Sequence, residues 1–75
     1  MEQRLLEQFG ARVRDARIAK ALSQEQLGSL ADLDRTYVSG VERGKRNVSL
    51  VNIAKLAKAL DLQMSLLLDF EVADD

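Results

Sequence analysis

The chain has 75 residues, 47% of them hydrophobic, with 11 Lys and Arg against 12 Asp and Glu for a net charge of −1. That length holds one domain, residues 1–75, with a single core, and the absence of Cys and His excludes disulfides, thiol chemistry, Cys/His zinc sites and histidine-based general base catalysis. No apolar run approaches the length of a membrane span and nothing near the start has the form of a signal peptide, so a cytoplasmic location is expected, with no metal and no cofactor.

Leu5, Leu6, Phe9, Val13 and Ala16 recur near the helical period and predict a first helix over about residues 3–20. Gly10 within it costs about 1 kcal/mol relative to Ala. Either a close contact with another helix or a frayed first segment is expected there.

Ser23 and Gln26 have the spacing of a capping box, so a second helix is predicted over 24–31, with Leu27, Leu30 and Ala31 as its apolar face. Asp32-Leu33-Asp34 interrupts that pattern with turn-prone residues. Asp34 then caps a third helix over 35–43, whose inner face carries Val38 and Val41 and which Gly44 stops at positive φ. The other face holds Arg35, Thr36, Ser39, Gly40 and Arg43. It is small, polar and basic, a surface that suits the floor of a DNA major groove.

A short basic loop, Lys45-Arg46-Asn47-Val48, follows. Ser49 caps a fourth helix over 50–60 with an inner stripe of Leu50, Ile53, Leu56, Ala57 and Leu60, and a fifth is predicted over 64–70, before a fraying acidic end at 72–75. The fold class expected is therefore all-α, with five helices around a central helix-turn-helix. Residues 35–46 hold Arg35, Arg43, Lys45 and Arg46 against Glu42 alone, while residues 61–75 hold five acids and no base. Local sign, not the total, governs what each surface attracts beyond a Debye length of roughly 8 Å.

The run from Gln24 to Arg43, followed by GKRN, resembles the bihelical unit of the lambda-repressor-like, Xre-type helix-turn-helix family. Within that family DRTYVSGVERGKRN is most similar to the controller proteins of restriction-modification systems, and the likeness covers roughly residues 9–68. The resemblance implies a sequence-specific regulator that binds a palindromic double-stranded DNA operator as a homodimer. It also implies a glycine where Ala21 stands. An alanine in the left-handed region carries strain of order 1 kcal/mol, so the first helix is expected to end differently.

Arg35 is the expected base reader, by a bidentate contact to guanine, against the alternatives of a phosphate clamp or a solvated side chain. Thr36 and Ser39 share its side and are expected to touch base edges. Gln24, Tyr37, Arg43, Lys45, Arg46 and Asn47 are candidate contacts to the DNA backbone, with packing beside Leu33 as the alternative for Tyr37. The resemblance implies a partly buried ion pair between Arg17 and Glu42 that orients the third helix; a surface pair is the alternative.

Leu62, Met64, Leu66, Leu67, Leu68 and Phe70 point in more directions than one core can use. The resemblance implies that Leu62 and Leu67 fill the core. Met64, Leu66 and Phe70 are then expected to form an exposed dimer interface, since one copy of this size buries only about 60 to 65% of its unfolded surface. Glu25 is a candidate contact to RNA polymerase. Rival roles are a phage-type repressor, an antitoxin, or a protein-interaction module that has kept the fold without reading DNA. No paired acids, nucleophile-base set or phosphate loop points to an enzyme.

Overall fold

The computed structural model describes residues 2–72. Five helices follow one another: α1 (Glu2–Ala19), α2 (Gln24–Ala31), α3 (Arg35–Glu42), α4 (Leu50–Ala59) and α5 (Met64–Leu67). The fraying expected of the acidic end concerns mainly residues 73–75, which lie outside those described. No helix among the described residues is long and apolar enough to cross a membrane.

Short polar side chains start three of these helices. Ser23 Oγ accepts the Gln26 N–H at 3.0 Å while Gln26 Oε1 accepts the Ser23 N–H at 2.8 Å, closing the capping box of α2. Asp34 accepts from the Thr36 N–H at the start of α3, and Ser49 Oγ accepts the Asn52 N–H at 3.1 Å at the start of α4.

The helix ends repeat a single motif. After α1, α2, α3 and α4 one residue turns left-handed: Ala21, Asp32 and Asp61 at φ 57° and Gly44 at φ 72°. The following residue then reaches back to a carbonyl five positions earlier, as Leu22 to Arg17, Leu33 to Gly28, Lys45 to Gly40 and Leu62 to Ala57, at 2.8–3.1 Å. Leu22, Leu33 and Leu62 pack against the core. Ala21 thus does take the left-handed conformation, against expectation. Docking of Leu22 and the two backbone bonds outweigh its strain.

Phe9, Val13, Leu27, Ala31, Val38, Val41, Leu56, Ala57, Leu60 and Leu67 form the buried core. α3 packs against both α1 and α2, and α4 backs α2 and α5. Gly10 is buried where α1 meets the end of α3: a Cβ there would lie 2.3 Å from the Val41 carbonyl oxygen. Of its two expected explanations, the close contact is the one found.

Two predicted core positions are outside. Leu30 is 61% exposed and Leu50 70%. α2 buries Leu27, Gly28 and Ala31, and at about 100° per residue Leu30 lies roughly a quarter turn from the centre of that line. Leu50 opens α4, and side chains lean toward a helix N-terminus, which carries it past the core's edge.

α5 stops at Leu67 and not at residue 70. Arg12 donates from Nε and Nη2 to the Leu66 carbonyl, the acceptor that a longer helix would offer to Phe70; the Phe70 N–H turns to Leu68 O at 3.0 Å. Gln8 holds Glu71 O at 2.9 Å. Met64 and Phe70 accordingly pack half-buried against the core, contrary to the exposed patch expected of them, while Leu66 and Leu68 are 44% and 43% exposed.

In urea denaturation, Ala21→Gly should raise stability by up to about 1 kcal/mol by relieving the left-handed strain. Gly10→Ala should lower it by about 1–3 kcal/mol or more, because the added methyl meets backbone that cannot move aside.

Candidate nucleic-acid interface

α3 is eight residues long and divides sharply into two sides. Val38, Gly40 and Val41 are buried, whereas Arg35, Thr36 and Arg43 are exposed and Tyr37, Ser39 and Glu42 are half-buried. Its start is set by Asp34, whose carboxylate accepts from the Thr36 hydroxyl at 2.9 Å and from its N–H at 3.4 Å. The Thr36 hydroxyl is therefore engaged, and its methyl is the part left for contact.

Gly28 allows the turn before α3 to come close. A Cβ at that position would lie 2.6 Å from Leu33 O. α1 supports the far end of α3 in three places. Gly10 lies under Val41 and Glu42, Arg17 holds Glu42, and the first turns of α1 press on Gly44, whose carbonyl accepts from Gln3 Nε2 at 3.3 Å.

The Glu42 carboxylate accepts three side-chain hydrogen bonds. Arg17 donates from Nε at 2.6 Å and Nη2 at 3.0 Å, and Gln24 from Nε2 at 3.2 Å. Arg17 Nη1 reaches the Leu22 carbonyl at 2.9 Å. The Arg17 and Glu42 side chains are only 13% and 3% exposed, so this is a partly buried pair and not a surface one. Hydrogen bonding to Glu42 raises the Arg17 guanidinium above its ordinary pKa, against the opposing effect of burial. A raised pKa stabilises the fold below the unfolded value, and that contribution is lost only in the strongly alkaline range.

All but Lys45 and Asn47 of the candidate contacts fall into three groups. Gln24, Ser39 and Arg43 line a shallow depression of about 170 Å³ together with Arg14, Arg17 and Glu42. Gln24 reaches it with one amide hydrogen already committed to Glu42. Tyr37 and Arg46 form a second group. The Arg46 guanidinium lies 5.5 Å from the centre of the Tyr37 ring, and its stem crosses Gly40, where a Cβ would stand 3.0 Å from Arg46 Cγ. Gly40 is thus not part of the outer face as expected; it is a buried notch that seats the arginine. Arg35 and Thr36 stand exposed at the helix start. Lys45 is exposed in the loop, and Asn47 borders a separate apolar groove with Leu5, Leu6, Phe9, Val48, Ile53, Leu68 and Phe70.

Two residues of this surface were not singled out by the sequence. Arg14 sits three positions before Arg17, a spacing that places it on the same side of α1. Asn52 Nδ2 donates to the Tyr37 hydroxyl at 3.1 Å from the first turn of α4; nothing in the local pattern announces that pairing. Among the described residues no cluster of His, Cys, Asp or Glu is arranged to hold a metal.

A helix so braced, with a basic outer side, is the arrangement of a known family. Residues 13–67 match the family model described as helix-turn-helix. The chain belongs to the helix-turn-helix family. Within it, the chain is 56% identical over 63 residues to control protein C.BamHI of Bacillus amyloliquefaciens, covering 83% of this chain and 78% of that one. The crystal structure of the restriction-modification controller protein C.AhdI from Aeromonas hydrophila superposes with a TM-score of 0.82 at 63% identity, covering 83% of this chain and 94% of that one. The controller protein C.Esp1396I, solved as a tetramer in complex with its natural 35 base-pair operator, matches with a TM-score of 0.80 at 31% identity over 87% of this chain and 86% of that one. C.AhdI and C.Esp1396I are restriction-modification controller proteins, and the second is seen on its operator.

Glu42→Ala would leave the partly buried Arg17 guanidinium without its counter-ion. Unfolding in urea should show a loss of about 3–5 kcal/mol, where a surface pair would lose under about 1 kcal/mol.

Proposed function

We propose that the chain is a restriction-modification controller protein that binds a palindromic operator as a homodimer and regulates transcription from it. The observation that carries this reading is the exposed start of α3, where Arg35 and Thr36 project from a helix fixed on its other side by α1 and α2. In a major groove Arg35 would take a guanine edge in bidentate fashion, the Thr36 methyl would meet a thymine methyl, and Ser39 would reach a neighbouring base. Gln24, Tyr37, Arg43, Lys45, Arg46 and Asn47 would hold the sugar-phosphate backbone, joined by Arg14. Those contacts set register and carry no sequence information.

The second copy covers the apolar groove beside Asn47 and the exposed leucines at 66 and 68. Two such domains related by a two-fold axis would place their α3 helices in adjacent major grooves about 34–36 Å apart. On this reading the protein acts in the cytoplasm without catalytic activity, and exposed Glu25 is the candidate contact to RNA polymerase.

Selection of bound sites from a random duplex pool tests the assignment directly. Arg35→Ala should broaden the selected sequence, at a cost of about 1–3 kcal/mol of discrimination. Arg46→Ala should weaken all sites alike. With about ten phosphates neutralised per dimer, log K against log salt should slope about −9, and the Arg46 variant should flatten it by about 2. Equal retention of every duplex by the unaltered protein would refute sequence-specific regulation. Sedimentation should give a dimer at tens of micromolar, and Leu68→Glu, which sets a charge in the apolar groove, should shift it to monomer.

A further inference from the structure

Asn52 and Tyr37 meet between α4 and α3, both half-buried, with Asn52 Nδ2 3.1 Å from the phenol oxygen. An amide N–H only donates, so the phenol oxygen is the acceptor in this bond. Its own proton must then go elsewhere, and among the described residues it has no acceptor. The inner side of the ring is packed on the core, while the Arg46 guanidinium lies over the ring at 5.5 Å. A phenol O–H lies close to the plane of its ring, so with Asn52 occupying one side of the oxygen the proton turns to the other, away from the amide. The Asn52 backbone N–H is tied to Ser49 Oγ at 3.1 Å in the first turn of α4, which fixes where this side chain leaves the helix.

We propose that Asn52 is a positioning residue for DNA binding. By donating to the Tyr37 oxygen it aims the phenol proton outward, so that Tyr37 and Arg46 together present one neutral and one charged donor to a single phosphate of the duplex. A hydroxyl that accepts a hydrogen bond also becomes a better donor, and a charged acceptor such as phosphate gains most from it. The inference rests on the DNA-binding reading above and goes beyond it in assigning a role to a residue of α4.

Reversing the polarity of the bond tests it. In Asn52→Asp the carboxylate takes the phenol proton and turns the oxygen lone pairs toward the phosphate. An acid in the first turn of a helix is favourable, so the fold should persist. Two probes serve: the duplex selected from the random pool, and a mixed-sequence duplex of about 30 base pairs at low salt. Because a phosphate contact is indifferent to sequence, Asn52→Asp and Tyr37→Phe should each weaken binding to both by about tenfold or more. In the Tyr37→Phe background Asn52→Asp should cost much less than it does alone. The salt slope of Tyr37→Phe should match that of the unaltered protein, since a neutral hydroxyl releases no counter-ion.

An Asn52→Asp loss that persists undiminished in the Phe background would come from the added charge alone and would overturn the proposal. So would an Asn52→Asp variant that binds as well as the unaltered protein, because Asn52 would then already be accepting the phenol proton. Failure of the unaltered protein to hold either duplex would instead remove the DNA-binding reading itself.

Discussion

The carboxylate of Glu42 ties together the three helices that matter for recognition. It sits at the last residue of α3 and gathers donors from the last turns of α1, through Arg17, and from the first residue of α2, through Gln24. Two ions partly withdrawn from water are costly unless geometry and additional hydrogen bonds offset the desolvation. Here the second guanidinium nitrogen closes a two-pronged contact and the third caps the Leu22 carbonyl, so the charge on each side is satisfied. An apolar triplet of similar volume would hold these helices together with comparable strength. It would not fix their rotation about one another, because apolar contacts lack direction. The direction in which Arg35 leaves the fold follows from that rotation.

Close backbone approach completes the brace. Gly10 lets α1 lie against the carbonyls that end α3, and Gly28 lets the turn before α3 settle onto α2. Between these two contacts an eight-residue helix is gripped at both ends. Little of its rigidity has to come from its own propensity, which for so short a segment is marginal in water.

Much of this was legible in the chain because the signals are local. Ser23 with Gln26, Asp34 and Ser49 announce helix starts by side-chain chemistry that acts within three residues, and Gly44 announces an end. The stripe from Val38 to Val41 was readable for the same reason. The misread positions depend on partners distant in sequence. Leu30 and Leu50 satisfy a helical period, but which arc of that period is covered depends on how α2 and α4 pack on each other and on α3 and α5. α5 ends early because Arg12, 54 residues away, takes the Leu66 carbonyl. Gly40 looked like part of a smooth outer surface, and only the path of the following loop reveals it as a notch. Arg14 and Asn52 join the candidate interface through the approach of separate helices, and no short motif records it.

That notch has a further consequence. A loop arginine ordinarily samples many rotamers, and fixing one on a partner forfeits roughly 0.5–1.5 kcal/mol of disorder. Here the aliphatic stem is already laid along α3 in the space that a missing methyl leaves, and the charged tip is already stacked on an aromatic face. Most of the forfeit is made when the chain folds. The head group therefore arrives preorganised, and the benefit appears as prolonged residence on the partner more than as faster encounter.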